Sequence, residues 1–146
     1  MGCSSLSGTD GKGYISADGQ VRVIDAPDRG EPLEVEGTSL QDEPLSITAL
    51  RGKPVVVNLW YSACGPCRVE ADDLAAAHDE LGATAAFVGV NIRDTSPAVG
   101  RLFEEKRGVP YPSIYDPDGR VAAVVSGPIP SVQTLVDLVD GVAADG

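Results

Sequence analysis

Residues 54–60, PVVVNLW, are almost continuously apolar and rich in β-branched side chains. A strand of that kind is covered on both faces, as inside a parallel sheet rather than on a half-solvated antiparallel one. Parallel neighbours cannot be joined by a tight turn, so such a strand demands a crossover, usually a helix. The next residues supply one. Cys67, Ala71, Leu74, His78 and Leu81 recur at the spacing of a single helix face, predicting a helix over 65–81 that Gly82 ends. TAAFVGVNI, 84–92, then reads as a second buried strand.

Ser96 and Pro97 offer an N-cap and first-turn pair, and Val99, Leu102, Phe103 and Lys106 follow at helical spacing until Gly108. SIY (113–115), DPDG (116–119) and RVAAVVS (120–126) predict a strand, a turn and a strand, closing as a hairpin. Ser131 caps a last helix whose inward stripe is Val132, Leu135, Val136 and Val139. Upstream, QVRVIDA (20–26) alternates enough for a strand, and Pro27, Gly30 and Pro32 punctuate a loop. Residues 31–54 read as short strands and turns, with SITAL a single helical turn. The order β-α-β-α-β-β-α, preceded by extra strands, predicts an α/β fold with parallel central strands, an antiparallel closing hairpin and N-terminal extension strands.

The length of 146 residues suits one domain with a real core. Lys and Arg number 11 against 22 Asp and Glu, a net charge of −11 that disfavours nucleic acid as a partner. No stretch approaches the roughly 18 apolar residues of a membrane-spanning helix, and no charged segment followed by an apolar one marks an intact signal peptide.

Residues 1–19, within MGCSSLSGTDGKGYISADGQ, are rich in Gly, Ser and Asp and predict a flexible tether, leaving 20–146 as the folded domain. Cys3 lies in this tether. GCSS resembles the end of a bacterial lipoprotein signal whose preceding segment has been removed, with Met1 an added start and Cys3 the lipid-bearing residue. Leu6 fails the N-myristoylation pattern, which wants Ser or Thr there. The alternative is an ordinary Cys in a loose tail, although an exposed free thiol is an oxidation liability.

The chemistry-bearing feature is the Cys64-Gly65-Pro66-Cys67 stretch between the first strand and the first helix. Two cysteines at this spacing fit a redox couple, half a metal site, or two inert thiols. A structural zinc site needs about four ligands. Only Cys3, in the tether, and His78, about three turns beyond Cys67 on the same helix, could join the pair. The sequence therefore predicts no metal and a redox couple. The free N–H groups and positive end of a helix N-terminus stabilise a thiolate there. Gly65 permits the tight turn and Pro66 suits the first helical turn. Cys64, normally the exposed member of such a pair, is read as the nucleophile and Cys67 as the resolving thiol.

VVVNLWYSACGPCRVE followed by YPSIYDPDGRV resembles the membrane-anchored, thioredoxin-like thiol-disulfide oxidoreductases of the TlpA/ResA type, across about residues 38–143. The resemblance implies a thioredoxin-like fold with an extra β-α unit. It matches Cys64 and Cys67 to the active pair, which needs no other cofactor than its own disulfide. Glu70, three residues beyond Cys67, matches a carboxylate that tunes the cysteines. Pro112 matches the cis-proline that faces the disulfide and shapes the substrate groove; Pro110 competes, but Pro112 directly opens the SIY strand. Trp60 matches the aromatic beside the site, and Ala63, Gly65 and Pro66 fall where substrate would be met, as does Tyr111, for which core or rim packing is an equal alternative.

Three departures stand out. Ala63 replaces a second Trp, Asn58 stands where cytoplasmic thioredoxins place a buried Asp, and Asp72 replaces a helix-kinking Pro. His78, on the apolar stripe, is expected as a partly buried, hydrogen-bonded core residue rather than a catalyst. Implied partners are protein disulfides, apocytochrome c among them, and a membrane thiol donor. The implied setting is the outer face of the cytoplasmic membrane, with the protein a lipid-anchored monomer. A disulfide-inserting oxidase and a non-catalytic binding module are the rival functions. A peroxidase would need Thr or Ser at position 61, where Tyr61 stands.

Overall fold

The computed structural model describes residues 26–28, 30–32, 34–116 and 132–144. Its centre is a parallel sheet of β3 (Val55–Trp60), β4 (Ala86–Asn91) and β5 (Ser113–Tyr115), with β4 in the middle. A two-stranded antiparallel hairpin, β1 (Glu36–Thr38) and β2 (Pro44–Ser46), precedes it. The hairpin reaches the sheet through an antiparallel bridge between Ser39 and Ile114 and a bond from Leu40 N to Ser113 O at 2.9 Å. A 3-10 turn at Thr48–Leu50 supplies the helical turn expected within SITAL.

Among the described residues, α1 (Gly65–Leu81) joins β3 to β4, α2 (Pro97–Arg107) joins β4 to β5, and α3 (Val132–Ala144) comes after β5. The fold is thioredoxin-like α/β, as the cysteine-bearing segment implied.

Register explains the layering. Val55 pairs with Ala86, Val56 with Phe87 and Val57 with Val88, so alternate residues face opposite sides of the sheet. Val56 and Phe87 join Leu74, Ala77, Leu81, Tyr111, Val136 and Val139 under α1 and α3. Val55, Val57 and Val88 pack with Ile47 and Ile114 on the other side. Leu74 and Leu81, both buried on α1, each contribute roughly 1.5–3 kcal/mol by leaving water.

Several elements differ from the sequence expectation. The second strand begins at Ala86 rather than 84, because Thr84 N is taken by Leu81 O in the turn that ends α1. Helix α2 forms, but its buried residues are Gly100 and Glu104, while Val99 and Leu102 are 39% and 51% exposed. Ser96 occupies the N-cap position without a side-chain bond, and its carbonyl instead accepts from Val99 N.

His78 is half-buried and lies edge-on to Phe87. Its Nδ1 is 3.5 Å from the Asp79 carboxylate but has no bond of good geometry. The expected strand at 20–26 lies outside the described residues apart from Ala26, which opens a 3-10 turn to Asp28. The second strand of the closing hairpin, 120–126, and the cap at Ser131 also lie outside them, as do the tether and Cys3.

Candidate active site

Strand β3 ends at Trp60, the chain turns through Tyr61–Ala63, and Cys64 becomes the N-cap of α1. Cys64 N donates to Tyr61 O at 3.0 Å, closing the turn. Its side chain accepts from Cys67 N at 3.2 Å. Pro66 sits in the first helical turn, where a missing N–H breaks no bond. Cys64 and Cys67 form a disulfide with Cα atoms 5.3 Å apart, and both are half-buried rather than Cys64 alone being exposed. What distinguishes Cys64 is the amide aimed at its sulfur. That N–H and the helix dipole favour negative charge there.

Of the residues expected to meet substrate, Ala63, Gly65, Pro66 and Pro112 are exposed. Trp60 and Tyr111 are not: Trp60, 3% exposed, lies inside the core rather than open to substrate, and Tyr111, 6% exposed, packs in the core rather than at the rim. Trp60 Nε1 donates to Ser113 Oγ at 3.0 Å and the ring packs on Phe103 at 4.9 Å, because an indole inside a core needs a partner for its one donor. No peptide bond among the described residues is cis, so Tyr111–Pro112 is trans, contrary to the expected cis-proline. The trans form is the one X-Pro amides prefer by about 0.5–1 kcal/mol.

Glu70 is half-buried on α1. Its charge acts on Tyr111, which the Asn58 side chain also influences. Burial pushes the Tyr111 phenol up to about 12; the nearby Asn58 side chain opposes this, and the Glu104 and Glu70 charges reinforce it. A raised phenol favours the folded state only while it is neutral. Stability linked to Tyr111 is therefore lost as pH rises from 10.0 through about 12. In an absorbance titration, a phenolate step near 12 is expected, and Tyr111→Phe should remove it.

Three residues of this region were not anticipated. Asp94, 6% exposed, accepts from Ser62 N on both carboxylate oxygens at 3.1 Å, from Ser62 Oγ at 2.6 Å and from Asn91 Nδ2 at 2.7 Å. Ser113 receives the Trp60 indole. For Asp94 the available signal was position: NIRD spans the end of β4, and sites in open α/β sheets gather at the carboxyl ends of strands.

Glu104 is the third, a 6% exposed carboxyl that lines a groove of about 390 Å³ running past Val109, Tyr111 and Pro112. Gln41 Nε2 donates to its Oε2 at 2.9 Å, while its buried Oε1 has no bond of good geometry. Burial raises the Glu104 carboxyl above 4.5, and the nearby Ser113 and Gln41 groups offset only part of that. A carboxyl raised on folding costs stability once it must ionise, so the cost appears as pH climbs from 4.5 through the raised value. Glu104→Gln should therefore raise the melting temperature at pH 7, by roughly 3 °C, with the gain vanishing at pH 4.

A model of the AhpC/TSA family matches residues 26–128, well over half of the chain. The chain belongs to the AhpC/TSA family. It is 36% identical over 100 residues to a thiol:disulfide interchange protein DsbE homolog of Paracoccus denitrificans, covering 67% of this chain and 50% of that protein. The chain spans about half the length of the curated relatives it matches.

Among solved structures, a DsbF homologue from Corynebacterium diphtheriae matches with TM-score 0.72 and 30% identity, over 88% of this chain and 97% of that one. A secreted thiol-disulfide isomerase from Corynebacterium glutamicum matches with TM-score 0.75 and 27% identity, over 90% and 96%. Within this family frame, the disulfide at the N-terminus of α1 is the feature with redox chemistry to offer. No helix among the described residues is long and apolar enough to cross a membrane.

Proposed function

We propose that this protein is an extracytoplasmic thiol-disulfide oxidoreductase of the TlpA/ResA type that reduces protein disulfides through Cys64 and Cys67. The observation that carries the reading is the Cys67 amide held 3.2 Å from the Cys64 sulfur at a helix N-terminus, within the Cys64–Cys67 disulfide. It is supported by relatives named as thiol:disulfide interchange proteins.

Cys64 thiolate attacks a sulfur of the client disulfide, releasing the other client sulfur as a thiolate. Cys67 thiolate then attacks the Cys64 sulfur, which frees the dithiol client and leaves the Cys64–Cys67 disulfide. A membrane thiol donor returns that disulfide to the dithiol. Glu70 takes or tunes the proton of the nearby thiols. Pro112, with Ala63, Gly65 and Pro66, forms the exposed surface that meets the client. Residues 1–19 tether the domain of 20–146 to the membrane through lipid on Cys3, and the protein works as a monomer. Apocytochrome c is the client this family reading favours.

The test is the equilibrium potential of the pair, by thiol labelling across glutathione or dithiothreitol buffers. A value at or below ~−250 mV supports a reductase, and one near ~−120 mV makes the protein a disulfide-inserting oxidase. Failure of the two thiols to titrate as a couple would leave a binding module. Insulin reduction run beside peroxide consumption separates the interchange activity from peroxidase chemistry.

A further inference from the structure

The buried Asp94 carboxylate takes no part in the exchange chemistry, yet it collects both donors of Ser62, two residues before Cys64. It is itself held from two sides. Asn91, the last residue of β4, donates to its Oδ2 at 2.7 Å, and Tyr115 Oη donates to its main-chain oxygen at 2.9 Å. The other hydrogen bonds of the Cys64 turn stay within it or run to the start of α1: Cys64 N to Tyr61 O at 3.0 Å, Cys67 N to Cys64 Sγ at 3.2 Å, and Arg68 N to Cys64 O at 3.1 Å. Among the described hydrogen bonds, the Asp94–Ser62 contact is therefore what ties residues 62–64 to the segment that follows β4, rather than to α1.

We infer that Asp94 is a positioning residue, which through Ser62 fixes the Tyr61–Cys64 turn so that the Cys64 sulfur stays on the Cys67 amide after the disulfide opens. In the oxidised form the S–S bond already holds the two sulfurs together. In the dithiol that covalent restraint is gone, and the place of the Cys64 sulfur depends on the turn. A loosened turn lets the thiolate leave its N–H donor, which weakens its stabilisation and costs the reduced state more than the oxidised one. Charged groups near the turn include Arg93, 5.7 Å over the Tyr61 ring, and Arg68 of α1, whose main-chain N–H donates to Cys64 O; Glu70 follows two residues further along α1. A variant that leaves Asp94 itself in place keeps this charge pattern unchanged.

Ser62→Ala is such a variant. The inference rests on the thiol-disulfide reading above, so wild type is measured first, as the pH profile of Cys64 alkylation by iodoacetamide with the site assigned by peptide mass. In Ser62→Ala the rate constant at pH 6.5 should fall about threefold and rejoin wild type at alkaline pH, with a more negative equilibrium potential. Ser62→Thr, which keeps the hydroxyl, should restore both. Ser62→Ala should add nothing in an Asp94→Ala background if that protein folds.

A purely structural contact would destabilise oxidised and reduced forms alike and leave the profile and potential unmoved. That result in Ser62→Ala overturns the inference while leaving the oxidoreductase reading intact. A wild-type pair that neither alkylates as a thiolate nor titrates as a couple overturns both.

Discussion

Cys64→Ser is expected to reduce disulfide exchange to background, a loss of at least about 10³-fold, without unfolding the protein. Serine is a preferred N-cap residue, so its hydroxyl can take over the bond from Cys67 N and α1 keeps its start. What it cannot do is act as a thiolate near neutral pH. Cys67→Ser should behave differently. It retains the attacking sulfur but cannot release the client, so a mixed disulfide on Cys64 accumulates. Insulin reduction measures the first effect and non-reducing electrophoresis the second. Undiminished function in Cys64→Ser would instead favour a binding module.

Gly89→Ala is the other change with a large expected effect, here on stability. Gly89 lies inside β4, paired with Asn58 of β3 on one side and Ser113 of β5 on the other. A methyl group there would collide with Ser113 Oγ and come within 2.7 Å of Trp60 Nε1, the two atoms of the buried indole hydrogen bond. In an ordinary strand, Ala in place of Gly gains roughly 0.5–1 kcal/mol. Overpacking of a tight core costs about 3 kcal/mol and outweighs that gain. The melting temperature should drop by about 10 °C, together with a change in Trp60 fluorescence. A variant as stable as wild type would show that Trp60 and Ser113 can separate at little cost.

The two changes also differ in how visible they are in the sequence. The cysteine pair announces itself, because a strand signal, a helix signal and a Cys-Gly-Pro-Cys bridge between them all lie within 54–81. Gly89 reads only as a glycine in an apolar run. Its importance depends on two side chains, Trp60 and Ser113, that are distant in sequence and meet only across the sheet. Similarly, the resemblance puts Trp60 beside the site and the sequence leaves Tyr111 open between binding surface and core, and packing turns both inward. Helix α2 carries the same lesson, since its apolar Leu102 is exposed while Glu104 is buried against Gln41.

By itself the sequence determined what short-range chemistry controls. The apolar β-branched run made β3, the three- and four-residue spacing and Gly82 made α1, and the turn and cap residues set Cys64 and Cys67 at a helix N-terminus. Tertiary structure alone decided which polar groups were buried and who partnered them: Asp94 with Ser62, Trp60 with Ser113, Glu104 with Gln41. The reason is physical. Local propensity and periodicity act over a few residues, whereas a buried polar atom must find its partner wherever the fold brings one within about 3 Å.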